Sequence, residues 1–185
     1  MIVRRRWAIV MSVDSWNFAA FEYERDRYQT TLAALARRSY RNAYERGCSM
    51  GELTAQLARL CIHVTATDSA RSAVARTRQR CAHLQNVDVY YADAAARPPE
   101  GHFELIVLNE IGYYLSPPEL IRIAATISGS LALGGEFVAV HWLGGNRGHV
   151  LHGDAVHSLL LANLPLLWVK GDRHNGFRVD SWTRV

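Results

Sequence analysis

The sequence predicts a single α/β domain built on a mostly parallel sheet. Segments with helical spacing alternate with short strand-like segments along most of the 185 residues, and this alternation favours strands joined by helical crossovers. The segment 103–108 (FELIVL) is an almost continuous apolar run, which is typical of a strand buried on both faces of a parallel sheet. With 49% hydrophobic residues, a chain of this length forms one sizeable core and is too short for two comfortable domains.

The helices and strands follow from the spacing of apolar residues and from the turn residues between them. In the first two helices, apolar side chains recur every three or four residues; they are Phe21, Tyr28, Leu32 and Leu35, and then Leu53, Leu57 and Leu60. Pro117 and Pro118 indicate the start of a later helix, because proline is tolerated in the first helical turn but not in the helix interior. The predicted helices are 16–38, 52–60, 70–81, 117–131 and 154–161, and the predicted strands are 40–45, 63–67, 87–91, 103–108, 136–142, 166–170 and 177–182.

Two glycine-containing segments mark boundaries late in the chain. Gly134 and Gly135 are expected to end the region after the fourth predicted helix, so that the fifth strand begins at Glu136. Residues 171–176 are of hairpin size and separate the last two predicted strands, which indicates an antiparallel terminal pair. Residues 1–15 are expected to be a disordered leader, and residues 16–185 a single domain that begins with a lid helix.

Charge and cysteine content limit the partners and the compartment. The formal net charge is +4, and three positive charges come from Arg4, Arg5 and Arg6, so the rest of the chain is nearly neutral and lacks the basic face that nucleic acid requires. Three cysteines without a CxxC pair argue against disulfides or zinc and favour the reducing cytoplasm. No apolar run approaches the ~20 residues that span a bilayer. We also expect no metal ion and a monomer or weak homodimer.

The segment Glu45–Gly51 (ERGCSMG) is the first candidate site. A strand that leads through a glycine turn into a helix lets backbone amides approach a ligand closely. Dinucleotide-binding enzymes carry GxGxxG at this position, whereas this turn has a GxxxG spacing. The turn therefore indicates a nucleotide-type ligand other than a dinucleotide, and the alternative is a tight connection without a ligand.

Two acids follow the next two strands. Asp68 lies 21 residues after Gly47, and an acid at this distance is placed to accept hydrogen bonds from both ribose hydroxyls. The alternative is that Asp68 and Ser69 cap the following helix. Asp93 ends the segment after the third strand, where its carboxylate and the Ala94 amide match an adenine amine and ring nitrogen; the alternative is an ordinary turn acid. Since parallel strands end at one edge of the sheet, these groups are expected to lie together.

Polar and aromatic residues also follow the fourth and fifth strands. Asn109 and Glu110 directly follow the buried run, and Tyr113 and Tyr114 offer an aromatic wall that suits a sulfonium cation; the alternative is a structural turn with core tyrosines. His141 and Trp142 end the fifth strand, and His157 lies on the next helix. Histidine is the side chain most able to accept a proton near neutral pH, although a lone histidine is more often structural. Asp154 and His157 are three residues apart on a helix and could interact.

Together these motifs resemble class I S-adenosylmethionine-dependent methyltransferases, and more narrowly the NodS-type branch, the N-methyltransferases of nodulation-factor synthesis and their bacterial relatives. The resemblance covers residues 16–185 and is carried by FEYERDRYQTTLAAL, ERGCSMGELT, FELIVLNEIGYYL, LALGGEF, VAVHW and HGDAVH. It implies a Rossmann-like fold with a seven-stranded, mostly parallel sheet, an antiparallel C-terminal strand and helices on both faces. It also implies S-adenosylmethionine as cofactor and S-adenosylhomocysteine as product.

The resemblance assigns roles to the residues of each motif. The glycine turn would pass under the methionine part of the cofactor, Glu45 would stand near its amino group, and the N-terminal helix would lie over the site as a lid. The implied cofactor-binding residues are Tyr23, Tyr28, Glu45, Gly47, Cys48, Ser49, Gly51, Asp68, Ser69, Asp93, Ala94, Asn109 and Glu110. The expected catalytic residues are Glu110, His141 and His157, and the expected substrate-binding residues are Tyr113, Tyr114, His141 and Trp142.

The acceptor implied by the resemblance is an amine such as a deacetylated amino sugar or oligosaccharide, because NodS methylates the free amine of a deacetylated chitooligosaccharide. A small-molecule O-methyltransferase and a catalytically degenerate cofactor-binding protein are the alternatives. Three residues depart from the family pattern: Arg46 stands where an aliphatic residue is usual, Ser49 replaces a glycine, and Glu104 replaces an aspartate. The turn after the fourth strand lacks the Asn/Asp-Pro-Pro-aromatic sequence of methyltransferases that modify nucleic-acid bases.

Overall fold

A seven-stranded sheet organises the structure, and the computed structural model describes residues 22–145 and 148–185. The predicted leader and the first residues of the predicted 16–38 helix lie outside the described residues. The helices are α1 (Glu22–Ala33), α2 (Glu52–Leu57), α3 (Arg71–Arg80), α4 (Pro117–Ser130) and α5 (Gly153–Asn163), with a 3-10 turn at Gly112–Tyr114. The strands are β1 (Tyr40–Arg46), β2 (Cys61–Asp68), β3 (Val87–Tyr91), β4 (Phe103–Asn109), β5 (Leu131–Trp142), β6 (Leu167–Arg173) and β7 (Phe177–Thr183).

The strand order confirms the predicted fold class. The order is β3-β2-β1-β4-β5-β7-β6, and β1 to β5 pair in parallel. Strand β7 runs antiparallel to both of its neighbours, as expected for the end of the chain. Because β1 lies inside the sheet and pairs with β2 on one side and β4 on the other, the chain reverses its direction of winding there. Open α/β sheets bind ligands at such a switch point.

Two apolar layers cover the sheet, one on each face. Strand β4 contributes to both: Leu105 and Val107 pack with α2 on one face, and Ile106 and Leu108 pack with α4 and α5 on the other. All four side chains are at most 1% exposed, which confirms that the 103–108 run is buried on both faces. Helix α4 begins as its sequence indicates, since Ser116 and Glu119 form a capping box before the two prolines.

Helix α1 ends five residues earlier than predicted, at Ala33. The Ala34 and Leu35 amides still donate to carbonyls of α1, but the two amides after them find partners outside the helix. The Ala36 amide donates to both carboxylate oxygens of Glu136 (3.1 and 3.0 Å), and the Arg37 amide donates to the Tyr40 hydroxyl (3.2 Å). Buried backbone donors are almost always paired, and here long-range polar groups replace the helical carbonyls.

The predicted start of β5 at Glu136 is wrong, because the strand begins at Leu131 and includes both glycines. The pairing with β4 changes register in this stretch, and the Gly134 amide donates to the carbonyl of Arg184 (2.7 Å). Glycine within a strand often marks such an irregularity. The predicted 171–176 loop is also shorter, because residues 171–173 belong to β6. In the described part of the chain, no helix is long and apolar enough to cross a membrane.

We expect Tyr40→Phe to lower the free energy of unfolding by about 1–3 kcal/mol, because a buried acceptor loses a charge-assisted hydrogen bond. The Tyr40 hydroxyl lies 2.5 Å from the Glu136 carboxylate, and both residues are at least 94% buried. Urea unfolding measures the change. Tyr90→Phe, at a position that is 49% exposed on β3, is the matched control and should leave stability unchanged. Equal effects of the two substitutions would contradict a role for the Tyr40–Glu136 bond.

Candidate active site

The carboxyl ends of β1, β2 and β4 bring the predicted site residues to one edge of the sheet. Arg46, the last residue of β1, lies level with Thr67 on β2 and with Leu108 on β4. The glycine turn, Asp68 and Asn109 therefore emerge side by side. The neighbouring strand β3 ends level with Asp68, so the Asp93 segment follows at the same edge. These residues lie at the carboxyl ends of parallel strands, where open α/β sheets bind their ligands.

The glycine turn needs its glycines. Gly47 and Gly51 have φ values of 86° and 77°, where side chains are unfavourable. A side chain at Gly51 would also lie 2.9 Å from Thr77 on α3. Ser49, which replaces a family glycine, has a φ of 50° and adopts the left-handed conformation that glycine would favour. The turn remains tight because the Gly47 and Cys48 amides both donate to the Thr67 carbonyl (2.8 and 3.1 Å).

Asp68 lies between the glycine turn and the following helix. Its carboxylate accepts the amide of Ser49 (2.9 Å) and the amide of Ala70 (2.8 Å). A carboxylate offers about four acceptor positions, so two remain for hydroxyl donors. Burial raises the pKa of Asp68, and its backbone hydrogen bonds partly oppose that effect. Beside it, the Ser69 hydroxyl is buried without a partner among the described residues. These free acceptor positions and the unpaired hydroxyl fit a ribose.

Glu45 is a buried acid without a cation. It is 1% exposed, and its carboxylate accepts a short hydrogen bond from the Thr54 hydroxyl. Within the described residues it forms no ion pair. Burial raises its pKa to about 8, the Thr54 bond lowers it, and the nearby Asp68 charge raises it. Burying an unpaired carboxylate is costly, so an ammonium group is the ligand that this position fits.

Arg46 is a charged residue at a position of β1 where the resemblance implies an aliphatic one. Its side chain is buried at 2% exposure, yet it does not disturb the strand, because the guanidinium reaches the segment after β3. It donates a short hydrogen bond to the Ala94 carbonyl and one of 2.8 Å to the Ala96 carbonyl. Asp93 in turn accepts the Ala95 amide (3.0 Å). Arg46 therefore holds the segment that carries the expected adenine contacts, Asp93 and Ala94.

The chain leaves β4 through a strained residue, Glu110. Its φ is 58°, which is unusual for a residue with a side chain. One carboxylate oxygen accepts the Trp142 amide (2.6 Å), and the other accepts the Tyr113 hydroxyl (2.5 Å). The side chain is 22% exposed. Glu110 is thus a fixed carboxylate that still reaches the surface of the site.

Helix α1 contacts this turn through Arg27, a residue that the sequence reasoning missed. Arg27 is 1% exposed, bonds Glu24, and donates to the Asn109 side chain at 2.6 Å. Its guanidinium also lies 3.7 Å from Glu110. The pair Glu24 and Arg27 at helical spacing was the local signal that could have identified it. This contact places α1 against the carboxyl end of β4.

The two expected lid tyrosines lie at different places. Tyr23 donates to the Gly176 carbonyl (3.1 Å) and packs edge-on against Phe177. Tyr28 is 8% exposed and belongs to the apolar layer under α1. Helix α1 is therefore anchored by Tyr28 on the sheet and by Tyr23 on the β6–β7 turn.

An aromatic cluster lies beside Glu110. Tyr113 stacks on His149 with ring centroids 3.9 Å apart, and Tyr114 and Trp142 meet the same His149 ring edge-on at 5.0 and 6.0 Å. The sequence reasoning expected the two tyrosines and the tryptophan here but missed His149, which lacks any motif that would mark it. Three of the expected substrate-binding residues thus share one cluster, in which Tyr114 and Trp142 are partly exposed and Tyr113 is buried at 4% exposure.

The expectation that His141 and His157 act as bases, and that His141 binds substrate, does not fit their environment. Both side chains are 0% exposed, and all four ring nitrogens are engaged. His141 bonds the Gly112 amide and His157, and His157 bonds Asp180. The predicted contact between His157 and Asp154 is wrong, because Asp154 pairs with Arg173 instead.

Comparison with known proteins places this geometry in a family. The family model of nodulation protein S (NodS) matches residues 4–160. Nodulation protein S of Sinorhizobium fredii is 32% identical over 152 residues, which are 80% of this chain and 70% of that protein. A solved structure from Pseudomonas syringae, assigned as a methyltransferase, is 34% identical with a TM-score of 0.78 and covers 88% of this chain and 99% of that one.

The fold agrees with the same family. The N-methyltransferase NodS of Bradyrhizobium japonicum, solved in complex with S-adenosyl-L-homocysteine, matches with a TM-score of 0.88 at 22% identity and covers 98% of both chains. Its likeness supports the architecture, and the family model and the Sinorhizobium relative establish the relationship. The chain belongs to the nodulation protein S (NodS) family of class I S-adenosylmethionine-dependent methyltransferases.

Proposed function

We propose that this protein transfers the methyl group of S-adenosylmethionine to the nitrogen of a small amine, such as a deacetylated amino sugar or oligosaccharide. The observation that carries the proposal is the fixed, partly exposed carboxylate of Glu110 beside the aromatic cluster. Support also comes from the Bradyrhizobium relative, which is described as an N-methyltransferase. The choice of nitrogen over oxygen follows that relative, because a carboxylate accepts a hydrogen bond and a proton from a hydroxyl as readily as from an amine.

Glu110 and the aromatic rings would have different roles at the methyl acceptor. S-adenosylmethionine supplies a methyl group on a sulfonium, which is already a good leaving group, so positioning of the attacking nitrogen matters most. Glu110 would hold the neutral amine by a hydrogen bond and receive its proton after transfer. Tyr114 and Trp142 would cover the apolar faces of the acceptor, and electron-rich rings also suit the sulfonium charge.

The cofactor would lie along the edge formed by β1, β2 and β3. Glu45 would hold its ammonium, the glycine turn would pass beneath it, and Asp68 and Ser69 would bind its ribose. The Asp93 carboxylate and the Ala94 amide would select the adenine, on a segment held by Arg46. Cys48, Ser49, Asn109, Glu110, Tyr23 and Tyr28 complete the proposed set.

The site of action and the assembly state belong to the same proposal. We propose a cytoplasmic protein, and support comes from Cys48, Cys61 and Cys81, which are all free and buried as in reducing compartments. A monomer or weak homodimer that does not bind nucleic acid stays a prediction. Light scattering after size-exclusion chromatography measures the mass of the assembly. An electrophoretic mobility-shift assay tests whether the protein binds nucleic acid.

We expect labelled S-adenosylmethionine to transfer its label to amines in a panel of amino sugars, small amines and hydroxylated acceptors. Glu110→Gln should lower kcat by about 100-fold, because the proton acceptor is lost. Glu104→Gln, near the start of β4 and far from the site edge, is the matched control. Label on hydroxyl groups alone would favour the O-methyltransferase, and label on no acceptor would favour the binding protein without catalysis.

Asp68→Asn should weaken S-adenosylhomocysteine binding by about 10- to 150-fold, since hydrogen bonds to a charged acceptor contribute about 1.5–3 kcal/mol. Asp68→Ala should abolish detectable binding. Isothermal calorimetry measures both, and Asp88→Asn at an exposed position of the adjacent strand is the control. Undiminished binding by Asp68→Ala would show that the ribose position is misassigned.

Glu45 should make cofactor binding depend on pH. Its pKa is raised to about 8, and an ammonium placed beside it favours the charged form and lowers that pKa. Binding below pH 8 therefore releases a proton, and affinity for S-adenosylhomocysteine should rise with pH, by up to about tenfold per unit. Calorimetry in buffers of different ionisation enthalpy counts the protons. Glu45→Gln should bind without this release, and an unchanged release would refute the assignment.

A further inference from the structure

A buried row of polar side chains lies behind the turn that follows β4. His141 on β5, His157 on α5 and Asp180 on β7 are each 0% exposed. His141 Nε2 lies 3.0 Å from the Gly112 amide nitrogen, and His141 Nδ1 lies 3.1 Å from His157 Nε2. His157 Nδ1 makes a short hydrogen bond to Asp180. The row connects three elements that are far apart in sequence to a single backbone amide.

The chemistry of the row allows one arrangement of protons. A backbone amide can only donate, so His141 Nε2 must accept and cannot carry a hydrogen. The hydrogen of the neutral His141 ring is then on Nδ1 and is donated to His157 Nε2. His157 must carry its own hydrogen on Nδ1, which donates to Asp180. A protonated His157 would need His141 to accept at both nitrogens, and a neutral imidazole has only one acceptor.

The electrostatic surroundings agree with this direction. Burial holds the pKa of His141 well below its ordinary value, and the positive charge of Arg27 acts in the same sense, so the ring stays neutral. Burial raises the pKa of Asp180, but hydrogen bonds from His157, Arg178 and Trp168 outweigh burial and lower it. Asp180, at one end of the row, is therefore an ionised hydrogen-bond acceptor.

Every described neighbour of the Asp180 carboxylate is a donor. Oδ2 accepts from His157 and from Arg178 Nε (2.6 Å). Oδ1 accepts from the Trp168 indole (3.2 Å) and from Arg178 Nη2 (3.2 Å). An amide in place of the carboxylate would point its NH2 group at a donor in either orientation.

We propose that His141, His157 and Asp180 are positioning residues, which fix the histidine tautomers and thereby hold the Gly112 turn that orients Glu110. This inference rests on the proposed role of Glu110 in methyl transfer. The fit at the turn is close, because a Cβ on Gly112 would lie 2.7 Å from His141 Nε2 and 2.5 Å from Val156. Glu110 has its strained φ two residues earlier, and strained residues persist only where neighbours hold them.

The isosteric change Asp180→Asn tests the direction of the row. If the new NH2 group faces His157, both histidines must reverse their tautomers, and His141 would then present N–H to the Gly112 N–H. We expect kcat to fall by about 10- to 100-fold, since small misplacements in a site have effects of that size. Affinity for S-adenosylhomocysteine should stay unchanged, because the glycine turn and Asp68 are not touched. Asp172→Asn, exposed on β6, is the matched control.

A second change should restore the row. When Trp168→Phe is combined with Asp180→Asn, the indole donor is gone, so an NH2 group turned toward that side faces one donor, Arg178 Nη2, instead of two. The amide oxygen is then left to accept from His157 and Arg178 Nε, and we expect the double variant to recover part of the kcat of Trp168→Phe alone. A merely structural loss at Asp180 would not be rescued by removing a further buried hydrogen bond.

Imidazole 15N shifts give a readout that does not depend on catalysis. In the unmodified protein we expect both His141 and His157 as neutral rings with hydrogen on Nδ1, and in Asp180→Asn we expect hydrogen on Nε2. A protonated His157, or the Nε2–H form in the unmodified protein, would overturn the inference. So would a folded Asp180→Asn variant with reversed tautomers and full kcat. If no amine is methylated but the tautomers are as expected, the proposed function fails and the proton arrangement stands.

Discussion

The site depends on the left-handed turn at Glu110, where the chain leaves the central strand β4. A non-glycine residue in this conformation costs about 1–3 kcal/mol, so the surrounding structure must hold it. The Glu110 amide donates to the Val140 carbonyl (2.9 Å), and its side chain accepts the Trp142 amide (2.6 Å). Arg27 approaches from α1. The carboxylate is therefore linked to β4, β5 and α1 at once, and none of these elements can move without moving it.

Buried charges are distributed unevenly around this turn. On the acceptor side, Arg27 lies among Glu24, Asn109 and Glu110, so a cation is already present. On the cofactor side, Glu45 has a hydroxyl partner but no cation among the described residues. A buried carboxylate without a counter-ion is destabilising unless it is protonated or receives a cationic ligand. The contrast supports the proposed placement of a cationic cofactor at one end of the sheet edge and a neutral amine at the other.

Local sequence patterns predicted much of the fold, because they depend on near neighbours. The 103–108 run identified β4, the two prolines marked the start of α4, and the predicted bounds of β3 match the structure. Errors arose where a distant residue decides the outcome. The start of β5 depends on the pairing of Leu131 with Phe103 on β4. The partner of His157 is Asp180 on β7, whereas the sequence suggested Asp154, three residues away.

The difference between local patterns and distant contacts also separates the cofactor side of the site from the acceptor side. The glycine turn, Asp68 and Asp93 follow strand ends in chain order, so spacing could predict their place at one edge of the sheet, and the resemblance supplied the roles proposed for them. The groups behind Glu110 come from α1, α5 and β7, which no spacing rule connects. Asp180 also lies beyond residues 4–160, the part that the family model matches. The cofactor side thus follows from the order of the parallel strands, while the support of the acceptor side is built from residues that meet only in the folded chain. Differences in acceptor among relatives can therefore arise in these supporting elements without any change at the cofactor edge.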